Sequence, residues 1–415
     1  MSNSLNGTLG SLVKAGGGII HTGPFGSQLH ASDYVPQGVP CIMPANMKNS
    51  RVDLSNIAYI TEGDAQRLSK YIVKENDIVY SRRGDVTQKA LIRKKEEGFF
   101  CGTGCLLLRP GKKFVARFLT YYLSIPKIQN WIVSQAVGAT MPNLNTGILS
   151  SIPFHGPEKP EQERVANVLS VIEEKIELNN RINAELEAMA KTLYDYWFVQ
   201  FDFPDANGNP YKSSGGKMVY NPTLKREIPE GWSDKTLSQI ANITMGQSPE
   251  GSSYNDEGIG TIFYQGSTDF GWLFPTTRQY TTAPSRMAKK GDILLSVRAP
   301  VGDMNIANTD CCIGRGLAAL NSKTGSDGFL FYVMNYFKQI FDRRNSEGTT
   351  FGSITKNDLY SLTLAYPTPD LLKRYDGLVT NYNKMIFERS LENRELTNLR
   401  DWLLPMLMNG QVAVR

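Results

Sequence analysis

Sequence motifs that hold nucleotides or activate a catalytic nucleophile are missing from this chain. The segment SSGGKM at residues 213–218 has neither the spacing nor the hydroxyl residue of a phosphate-binding G-x-x-x-x-G-K-[ST] loop. No glycine fingerprint follows a predicted strand, no G-x-S-x-G elbow occurs, and no Asn/Asp-Pro-Pro-aromatic run of an amino-methyltransferase is present. These absences predict a binding protein that holds no cofactor and is not itself an enzyme.

Cysteine and histidine are scarce and are not spaced for metal binding. Of the five cysteines, Cys311 and Cys312 are adjacent, and no two are spaced as in a zinc ribbon. The three histidines, His21, His30 and His155, are isolated in the sequence. We therefore expect reduced, buried thiols, with neither a metal site nor a disulfide framework.

Nuclease-type carboxylate motifs are incomplete. Residues 204–205 and 369–370 are Pro-Asp pairs, and the Glu-Glu-Lys at residues 173–175 resembles the other half of a metal-nuclease motif. Both pairs lie at predicted helix boundaries, where proline and aspartate are common caps, and neither precedes a well-placed Glu-x-Lys on a strand. A self-contained nuclease is disfavoured.

Long hydrophobic runs are also missing. No apolar stretch approaches the roughly 18 residues that a membrane span requires, and the N-terminal MSNSLNGTLG does not have the shape of a signal peptide. With 41% hydrophobic and 20% charged residues in 415, the composition predicts a globular cytoplasmic protein of several domains, without a membrane partner.

Charge is distributed unevenly along the chain. Residues 1–157 hold 17 Lys+Arg against 9 Asp+Glu, a net charge of +8, whereas residues 230–366 hold 12 against 13, a net charge of −1. Residues 158–200 hold 5 against 9, a net charge of −4. The basic first part favours a polyanionic partner, most simply nucleic acid.

The chain contains an internal repeat. KENDIVYSRRGD at residues 74–85 recurs as KKGDILLSVRAPVGD at residues 289–303, and GATMPNLNTGILSSI at residues 138–152 recurs as GTTFGSITKNDLYSL at residues 348–362. Helical runs near residues 176 and 386 align at the offset of 210 residues that relates the second of these pairs, and GTLGSLV corresponds to DKTLSQIA. Four matches in one order indicate a tandem duplication.

Each copy consists of a strand-rich part followed by a long helix. Short β-branched and aromatic runs such as YIVKENDIVYSR and GDILLSV predict an α+β body, and heptad-spaced runs predict the helices. The predicted segments are residues 1–157 (first globular part), 158–202 (first long helix), 203–229 (linker rich in turns), 230–367 (second globular part) and 368–415 (second long helix).

The two long helices are predicted to pair with each other. Heptad spacing, alternately four and three residues, relates Ile172, Ile176, Asn179, Asn183, Leu186, Ala190, Leu193 and Trp197. In the second helix Arg389 and Arg400 lie on the corresponding apolar seam, which is therefore less regular. A pseudo-twofold arrangement makes the pair an antiparallel coiled coil, in which Asn183 and Asn393 fix the register. Ordinary amphipathic packing against the globular parts is the alternative.

Polar loops recur at matching places in the two copies and are candidates for reading base edges. They follow the strands VPCIMP and GTIFY, surround SRRGDVTQK and SVRAPVGD, and include ATMPNLN and TTFGSITK. The candidate residues are Asn46, Lys48, Arg82, Arg83, Thr140, Asn143 and Asn145 in the first copy, and Gln265, Ser267, Arg298, Arg315, Thr350, Ser353 and Lys356 in the second. Alternatively these are ordinary polar turns, and Arg83 and Arg298, kept in both copies, are structural.

Over essentially its whole length the chain resembles the specificity subunits of type I restriction-modification systems. The segment PEKPEQERVANVLSVIEEKIELNNRINAELEAMAKTLYDYWFVQFDFPD at residues 157–205 resembles their central conserved region, and SSGGKMVYNPTLKREIPEGW resembles its exit into the second recognition domain. The second helical region departs from the pattern, because Leu-Leu-Lys replaces the P-x-x-Q-E-x-I entry.

The resemblance implies two target recognition domains of mixed strands and helices, separated by two long helices. It further implies a bipartite double-stranded DNA target, two modification subunits that carry S-adenosylmethionine and methylate adenine, and a restriction subunit that translocates and cuts DNA. The aromatic stretch LYDYWFVQFDFP and its repeat partner LLPMLMNGQV either contact the modification subunits or pack only within this chain. The interface candidates are Tyr194, Trp197, Phe198, Leu403 and Leu407.

Other functions stay open at this point. A stand-alone two-headed DNA-binding regulator has the same sequence features without a methyltransferase partner. A coiled-coil scaffold with carbohydrate-binding heads is disfavoured by the basic first part. No code links these loop residues to particular bases, so the target sequence and the spacer length do not follow from the sequence.

Overall fold

The computed structural model describes residues 4–136, 142–346, 353–412 and 414. The chain divides into two compact units, the first formed by Met1–Ile176 with Glu395–Arg415 and the second by Glu177–Arg394. The division falls inside both long helices, so each helix contributes residues to both units. We call the strand-rich parts the first head (residues 4–157) and the second head (residues 233–366).

The first head is built from short strands and helices. Its strands are β1 (Ser4–Thr8), β2 (Ile19–Thr22), β3 (Tyr34–Val35), β4 (Val39–Ile42), β5 (Met47–Lys48), β6 (Arg51–Val52), β7 (Ala58–Ile60), β8 (Ile78–Ser81), β9 (Lys89–Leu91), β10 (Phe100–Cys101), β11 (Cys105–Arg109) and β12 (Pro153–Pro157). Its helices are α1 (Leu9–Ala15), α2 (Glu62–Arg67), α3 (Ala116–Tyr122), α4 (Pro126–Gln135) and α5 (Thr146–Ser151).

The central sheet of the first head, in the order β2-β11-β8-β9, is buried on both faces. Successive side chains of a strand alternate between the faces of a sheet. Accordingly Leu106 and Leu108 pack in a core with Phe118 of α3, whereas Leu107 packs in another core with Phe100. Phe100 belongs to the second sheet, in the order β10-β4-β7-β3. The strand β11 can therefore be a continuous apolar run.

The linker and the second head supply the remaining strands. They are β13 (Met218–Asn221), β14 (Arg226–Pro229), β15 (Ser233–Thr236), β16 (Ala241–Met245), β17 (Tyr254–Asn255), β18 (Thr261–Tyr264), β19 (Tyr280–Thr281), β20 (Met287–Ala288), β21 (Ile293–Ser296), β22 (Met304–Ile306), β23 (Cys311–Ile313), β24 (Leu317–Ser322) and β25 (Thr363–Tyr366). The linker is not helical, as predicted, and β13 and β14 form a hairpin in it.

Sheet topology confirms the tandem duplication. The order β16-β24-β21-β22 in the second head repeats β2-β11-β8-β9, and β23-β18-β19-β17 repeats β10-β4-β7-β3. The pairs β10-β4 and β23-β18 are both parallel, and β1-β12 and β15-β25 are both antiparallel. The helices of this half are α7 (Leu237–Ile240), α8 (Asp327–Ser346), α9 (Lys356–Ser361) and α10 (Pro369–Met408); α8 is continuous, whereas Pro126 starts a new helix in the first head.

The first long helix, α6 (Lys159–Tyr194), and α10 have 36 and 40 residues, and α6 continues into a π-helical turn at Asp195–Val199. In the second unit, Asn179 of α6 donates to Asn393 of α10 at 2.9 Å, while the hydroxyl of Tyr375 donates to the carbonyl of Ala190 at 3.3 Å. Residue numbers rise along one helix as they fall along the other. The antiparallel arrangement predicted from the sequence is therefore confirmed.

Polar residues lie in the helix–helix contact of the second unit. Asn179 also donates to Glu392 at 2.7 Å, and Asn393 donates to Asn180 at 2.8 Å. Asn183 is 2% exposed, and its nearest polar contact is Ser390 at 3.5 Å. The predicted polar positions are thus in the contact, but Asn183 and Asn393 bond to other residues rather than to each other.

Side chains near the starts of α6 and α10 accept hydrogen bonds from backbone amides at the starts of α3 and α8, and the two units use different residues for this. In the first unit, the fully buried Gln162 accepts from the amide of Val115 before α3 and donates to the carbonyls of Lys113 and Pro157. In the second unit, where Leu372 replaces this glutamine, Asp376 accepts from the amide of Phe329 in α8 at 3.0 Å. The start of α8 therefore has a side-chain partner although the Q-E entry is missing from α10.

Candidate nucleic-acid interface

Backbone hydrogen bonds bring the predicted loops of the first head together. After β4, the carbonyl of Ile42 accepts from Gly102 at 2.9 Å, and after β10 the carbonyl of Gly104 accepts from Arg82 at 2.8 Å. The carbonyl of Arg82 in turn accepts from Leu144 at 2.8 Å. The loops that contain Asn46, Arg82 and Asn143 are thereby held on one connected frame.

The second head repeats this frame with different residues. The carbonyl of Tyr264 accepts from Gly314 at 2.8 Å, the carbonyl of Gly316 accepts from Val297 at 2.9 Å, and the carbonyl of Val297 accepts from Ile354 at 2.9 Å. The loops that contain Gln265, Arg315, Arg298 and Ser353 therefore lie together. We call these two assemblies the first and second loop frames.

Arg83 and Arg298 have equivalent places in the two frames. Their backbones form isolated bridges with Asn143 and Ser353, and their carbonyls each accept a 2.9 Å hydrogen bond, from Ser81 and Ser296. Both side chains are exposed. The backbone at these positions holds each frame together, and a role of the two arginine side chains stays a prediction.

A further loop joins each frame and was missed by sequence reasoning. In the first head it follows β2, where the ring of Phe25 lies 5.5 Å from the guanidinium of Arg82. Arg82 also contacts the side-chain carbonyl of Asn143 at 3.4 Å. Phe25 is 53% exposed, so an aromatic and a cationic group together form part of the surface of the first frame.

The corresponding loop of the second head is polar. It follows β16, and Ser248 accepts hydrogen bonds from the side-chain amide of Gln265 at 2.9 Å and from the backbone of Arg315 at 3.2 Å. Side-chain amides can read adenine, whereas arginine pairs best with guanine. The two frames thus offer different hydrogen-bonding groups on the same support.

Paired glycines are the sequence signal for these missed loops. A Cβ on Gly23 would lie 2.2 Å from the carbonyl oxygen of Gly102, and one on Gly246 would lie 2.1 Å from that of Gly314. Only glycine permits such a close backbone approach. The recurrence of both glycines at the ends of β2 and β16 could have marked the loops.

Other predicted residues have local structural partners. Asn46 is 4% exposed and bonds to the backbone of Met43 and Asp53, and Asn145 caps α5 through the amide of Ile148. Lys48 pairs with Asp53, and the ammonium of Lys356, at the start of α9, lies 5.0 Å from the ring of Tyr360. Ser267 begins the 3₁₀ turn after β18. Thr140 and Thr350 lie outside the described residues.

Comparison with known proteins identifies the duplicated architecture. A family model described as the type I restriction modification DNA specificity domain matches residues 27–188 and again residues 229–371. The chain belongs to this family. Each match begins in or just before one head and extends into the long helix that follows it, so the chain carries two DNA specificity domains.

Relatives in the family match along most of their length. A Methanocaldococcus jannaschii chain named as the MjaX type I restriction enzyme specificity subunit is 30% identical over 389 residues, covering 91% of this chain and 88% of the relative. The HindI specificity subunit of Haemophilus influenzae is 21% identical over 431 residues, covering 88% and 92%. The solved S subunit of a type I restriction-modification system from M. genitalium shares the fold, with a TM-score of 0.62 at 19% identity, covering 98% of this chain and 96% of that one.

The predicted interface residues lie in cores of this chain. Tyr194, Trp197 and Phe198 are 4–6% exposed and pack around Phe329 and Tyr375 in the second unit. The remaining two candidates are half-buried or buried in the core of the first unit: Leu403 and Leu407. These positions agree with the alternative of packing within the chain, and a contact with a second subunit stays a prediction.

No group of three or more His, Cys, Asp or Glu side chains among the described residues is arranged to hold a metal ion. None of the helices in the described part of the chain combines the length and apolarity of a bilayer span. The cysteines are free and buried, and burial raises the pKa of both Cys41 and Cys311 to about 12.

Proposed function

We propose that this chain is the non-catalytic, DNA-reading subunit of a type I restriction-modification complex and acts in the cytoplasm. Each loop frame reads one half of a bipartite double-stranded target. The observation that supports this most strongly is the repeated frame with changed side chains: Arg82 and Phe25 in one head, Gln265 and Ser248 in the other. Two readers of different sequences need a common support and different contact groups.

The long helices are the element that sets the spacing between half-sites in this proposal. Both contribute residues to both units, and at 1.5 Å per residue their 36 and 40 residues span about 54 and 60 Å. Half-sites read in successive major grooves on one face of B-DNA lie about one turn, roughly 10 bp, apart. The helices are of sufficient length for such a separation.

Catalysis is assigned to partner subunits. Two modification subunits that carry S-adenosylmethionine would take a target adenine out of the stack and methylate it, and a restriction subunit would cut unmodified DNA. The missing nucleotide and methyltransferase motifs support this division of labour. Native mass spectrometry of the complex with its modification subunit tests the stoichiometry, which we expect to be two modification subunits for one copy of this chain.

Methylome sequencing tests the function directly. The chain is expressed with its modification subunit in a host that lacks other adenine methyltransferases. We expect N6-methyladenine within a motif of two short defined halves and an undefined spacer. The absence of methylation despite sequence-selective binding by the purified chain would favour the stand-alone regulator. Metal-dependent cleavage by the isolated chain would instead make it a nuclease.

A further inference from the structure

A polar cavity of about 390 Å³ lies beside the first loop frame. Its walls come from three segments: the turn between β5 and β6, the end of the loop that leads into β9, and the region of α3 and α4 around Ser124 and Gln129. The turn residues Asn49 and Ser50 have φ values of 50° and 58°, and Leu91 of β9 donates to the carbonyl of Ser50 at 3.0 Å. The turn is thus fastened to the central sheet. We call this space the lysine cavity.

The charged residues that line the lysine cavity are both cations. Lys89 is 4% exposed and is paired with Tyr80 across β8 and β9, with its ammonium 5.8 Å from the Tyr80 ring. Lys48 lies at the rim, 64% exposed, and pairs with Asp53 outside. Within the described residues no carboxylate lines the cavity. The space therefore favours an anion.

Lys89 is the unusual group here. Among the described residues its ammonium has neither a hydrogen-bond acceptor nor an ion pair, and Asp85 acts on it only through its charge. Burial lowers the pKa of Lys89 to about 8. A buried cation without a hydrogen-bond acceptor or an ion pair is costly for a fold, and an anion that enters the cavity would remove much of that cost.

The lining also fits the chemistry of phosphate. Asn49, Gln88 and Gln129 bring side-chain amides to the cavity, and Thr87 and Ser50 bring hydroxyl groups. Such neutral donors, together with an ammonium, are the groups that contact phosphate oxygens in protein–DNA interfaces. Lys48 and Lys89 follow two of the loops that form the first loop frame, those that contain Asn46 and Arg82. The cavity is thereby joined through the chain to loops that the proposed function assigns to DNA.

The second head provides an internal contrast. Its corresponding cavity, also about 390 Å³, is lined by Met304 where the first head has Lys89. Carboxylates line this second cavity: Asp303 forms a 2.5 Å ion pair with Lys338, and Glu187 is half-buried. The anion-favouring lining is therefore confined to the first head.

We propose that the lysine cavity binds one phosphate group of the DNA backbone, with Lys89 as its buried cation and Lys48 at its rim. This rests on the proposed function, since the phosphate belongs to DNA held by the first loop frame. The contact fixes the position of the duplex and is independent of base sequence, because every nucleotide carries the same phosphate. The second head has no equivalent contact.

The test is the salt dependence of DNA binding by the full chain assembled with its modification subunit. Lys89→Met copies Met304, and Lys94→Met is the control, because Lys94 is an exposed lysine of the same head outside the cavity. Loss of one phosphate contact lowers the slope of log affinity against log salt by about 1. We expect this change in Lys89→Met, with weaker binding by about tenfold at 50 mM salt, equally for target and scrambled duplexes. Lys94→Met should retain the slope of the unaltered protein.

A scan of the duplex with single neutral methylphosphonate linkages locates the contact. We expect one linkage at or next to the first half-site that weakens binding by the unaltered protein but not by Lys89→Met. An unchanged salt slope in folded Lys89→Met, or a scan without such a linkage, overturns the proposal. If Lys89→Met does not fold, as judged by circular dichroism and melting, Lys48→Gln at the rim is measured in its place, with the same expected slope change and the same contradictory result.

Inorganic phosphate separates DNA from a free anion as the ligand. At constant ionic strength, inorganic phosphate should raise the melting temperature of the unaltered protein by more than that of Lys89→Met, because the general stabilising effect of phosphate acts on both. Stabilisation through Lys89 with a flat methylphosphonate scan would assign the cavity to free phosphate and overturn the DNA assignment. Failure of the unaltered protein to prefer its target would instead contradict the proposed function, a result distinct from an unchanged slope.

Discussion

The two heads share a backbone and differ in the side chains that they place on it. Gly102 and Gly314 occupy equivalent positions in the loop frames, yet beside them the first head exposes Phe25 and Arg82 while the second holds Ser248 and Gln265. The same contrast appears in net charge, +8 for residues 1–157 and −1 for residues 230–366. The two copies thus share the backbone that fixes the geometry of the loops and differ in the side chains that we propose to contact DNA.

The largest effect is expected from changing the helices that both units share. Insertion of one heptad into α6 and one at the repeat-equivalent position of α10 keeps the heptad phase and adds about 10 Å to each helix. At 3.4 Å per base pair this corresponds to about 3 bp. Methylome sequencing should show the original half-sites with a spacer longer by about that amount, and methylation of the original motif should be lost. An unchanged spacer would show that the helices do not set it.

Substitutions in the first unit can replace the Gln162 arrangement by the Asp376 arrangement of the second unit. Gln162→Leu copies Leu372 and removes the side-chain partner of three part-buried backbone groups, so we expect the first unit to lose about 3 kcal/mol of unfolding free energy. Adding Ala166→Asp copies Asp376 and should restore part of it. Chemical denaturation of both variants measures this, with Leu372→Met, a volume-conserving change at the apolar position, as control. If Gln162→Leu costs nothing, Gln162 has no capping role.

The loop frames should be separable by single substitutions. Arg82→Ala should weaken binding by about 1–3 kcal/mol and relax sequence preference only in the first half-site. Gln265→Ala should do the same only in the second. Selection of binding sequences from a randomised duplex pool by each variant gives the readout, and Arg117→Ala, at an exposed arginine of α3 that pairs with Glu174, is the control. Relaxation of both half-sites by either change would contradict independent reading.

The smallest effect on stability is expected in the helix–helix contact. Replacement of Asn179 and Asn393 by Leu removes a polar pair from the helix–helix contact. The unfolding free energy should stay within about 1 kcal/mol of that of the unaltered chain or rise, while the register of the two helices becomes less well fixed. Spin labels on the two helices should then give broader distance distributions. Replacement of the exposed Asn398 by Leu is the control. Distributions as narrow as those of the unaltered chain would show that apolar packing alone fixes the register.

Periodicity predicted the fold because it is a local property. Strands such as β8, β11, β18 and β21, both long helices and their antiparallel pairing follow from the repeat and from heptad spacing. The break at Pro126 and the exchange of Gln162 for Asp376 did not, because they depend on which groups meet after folding. The sequence also does not show where the aromatic stretch at the end of α6 packs; in the structure Trp197 and Phe198 pack around Tyr375.

The loop frames were predicted in part. The recurrence of polar loops at matching places follows from the repeat, whereas the hydrogen bonds that bring these loops together do not. Phe25 and Ser248 were missed because a single exposed residue in a glycine-rich turn has no periodic signal. Asn46 is a candidate by residue type, but its side-chain amide already bonds to the backbone of Met43 and Asp53. Residue type alone does not show whether a polar group is already satisfied by its own backbone.

The central claim is that each head reads its own half-site, and a chain with two copies of the first head tests it most directly. Residues 233–366 are replaced by the first head, and the methylome of a host that carries this chain with the modification subunit is sequenced. We predict a bipartite motif that contains the first half-site twice and the second not at all. Retention of the original second half-site, or loss of any defined second half in a folded complex, would contradict the account.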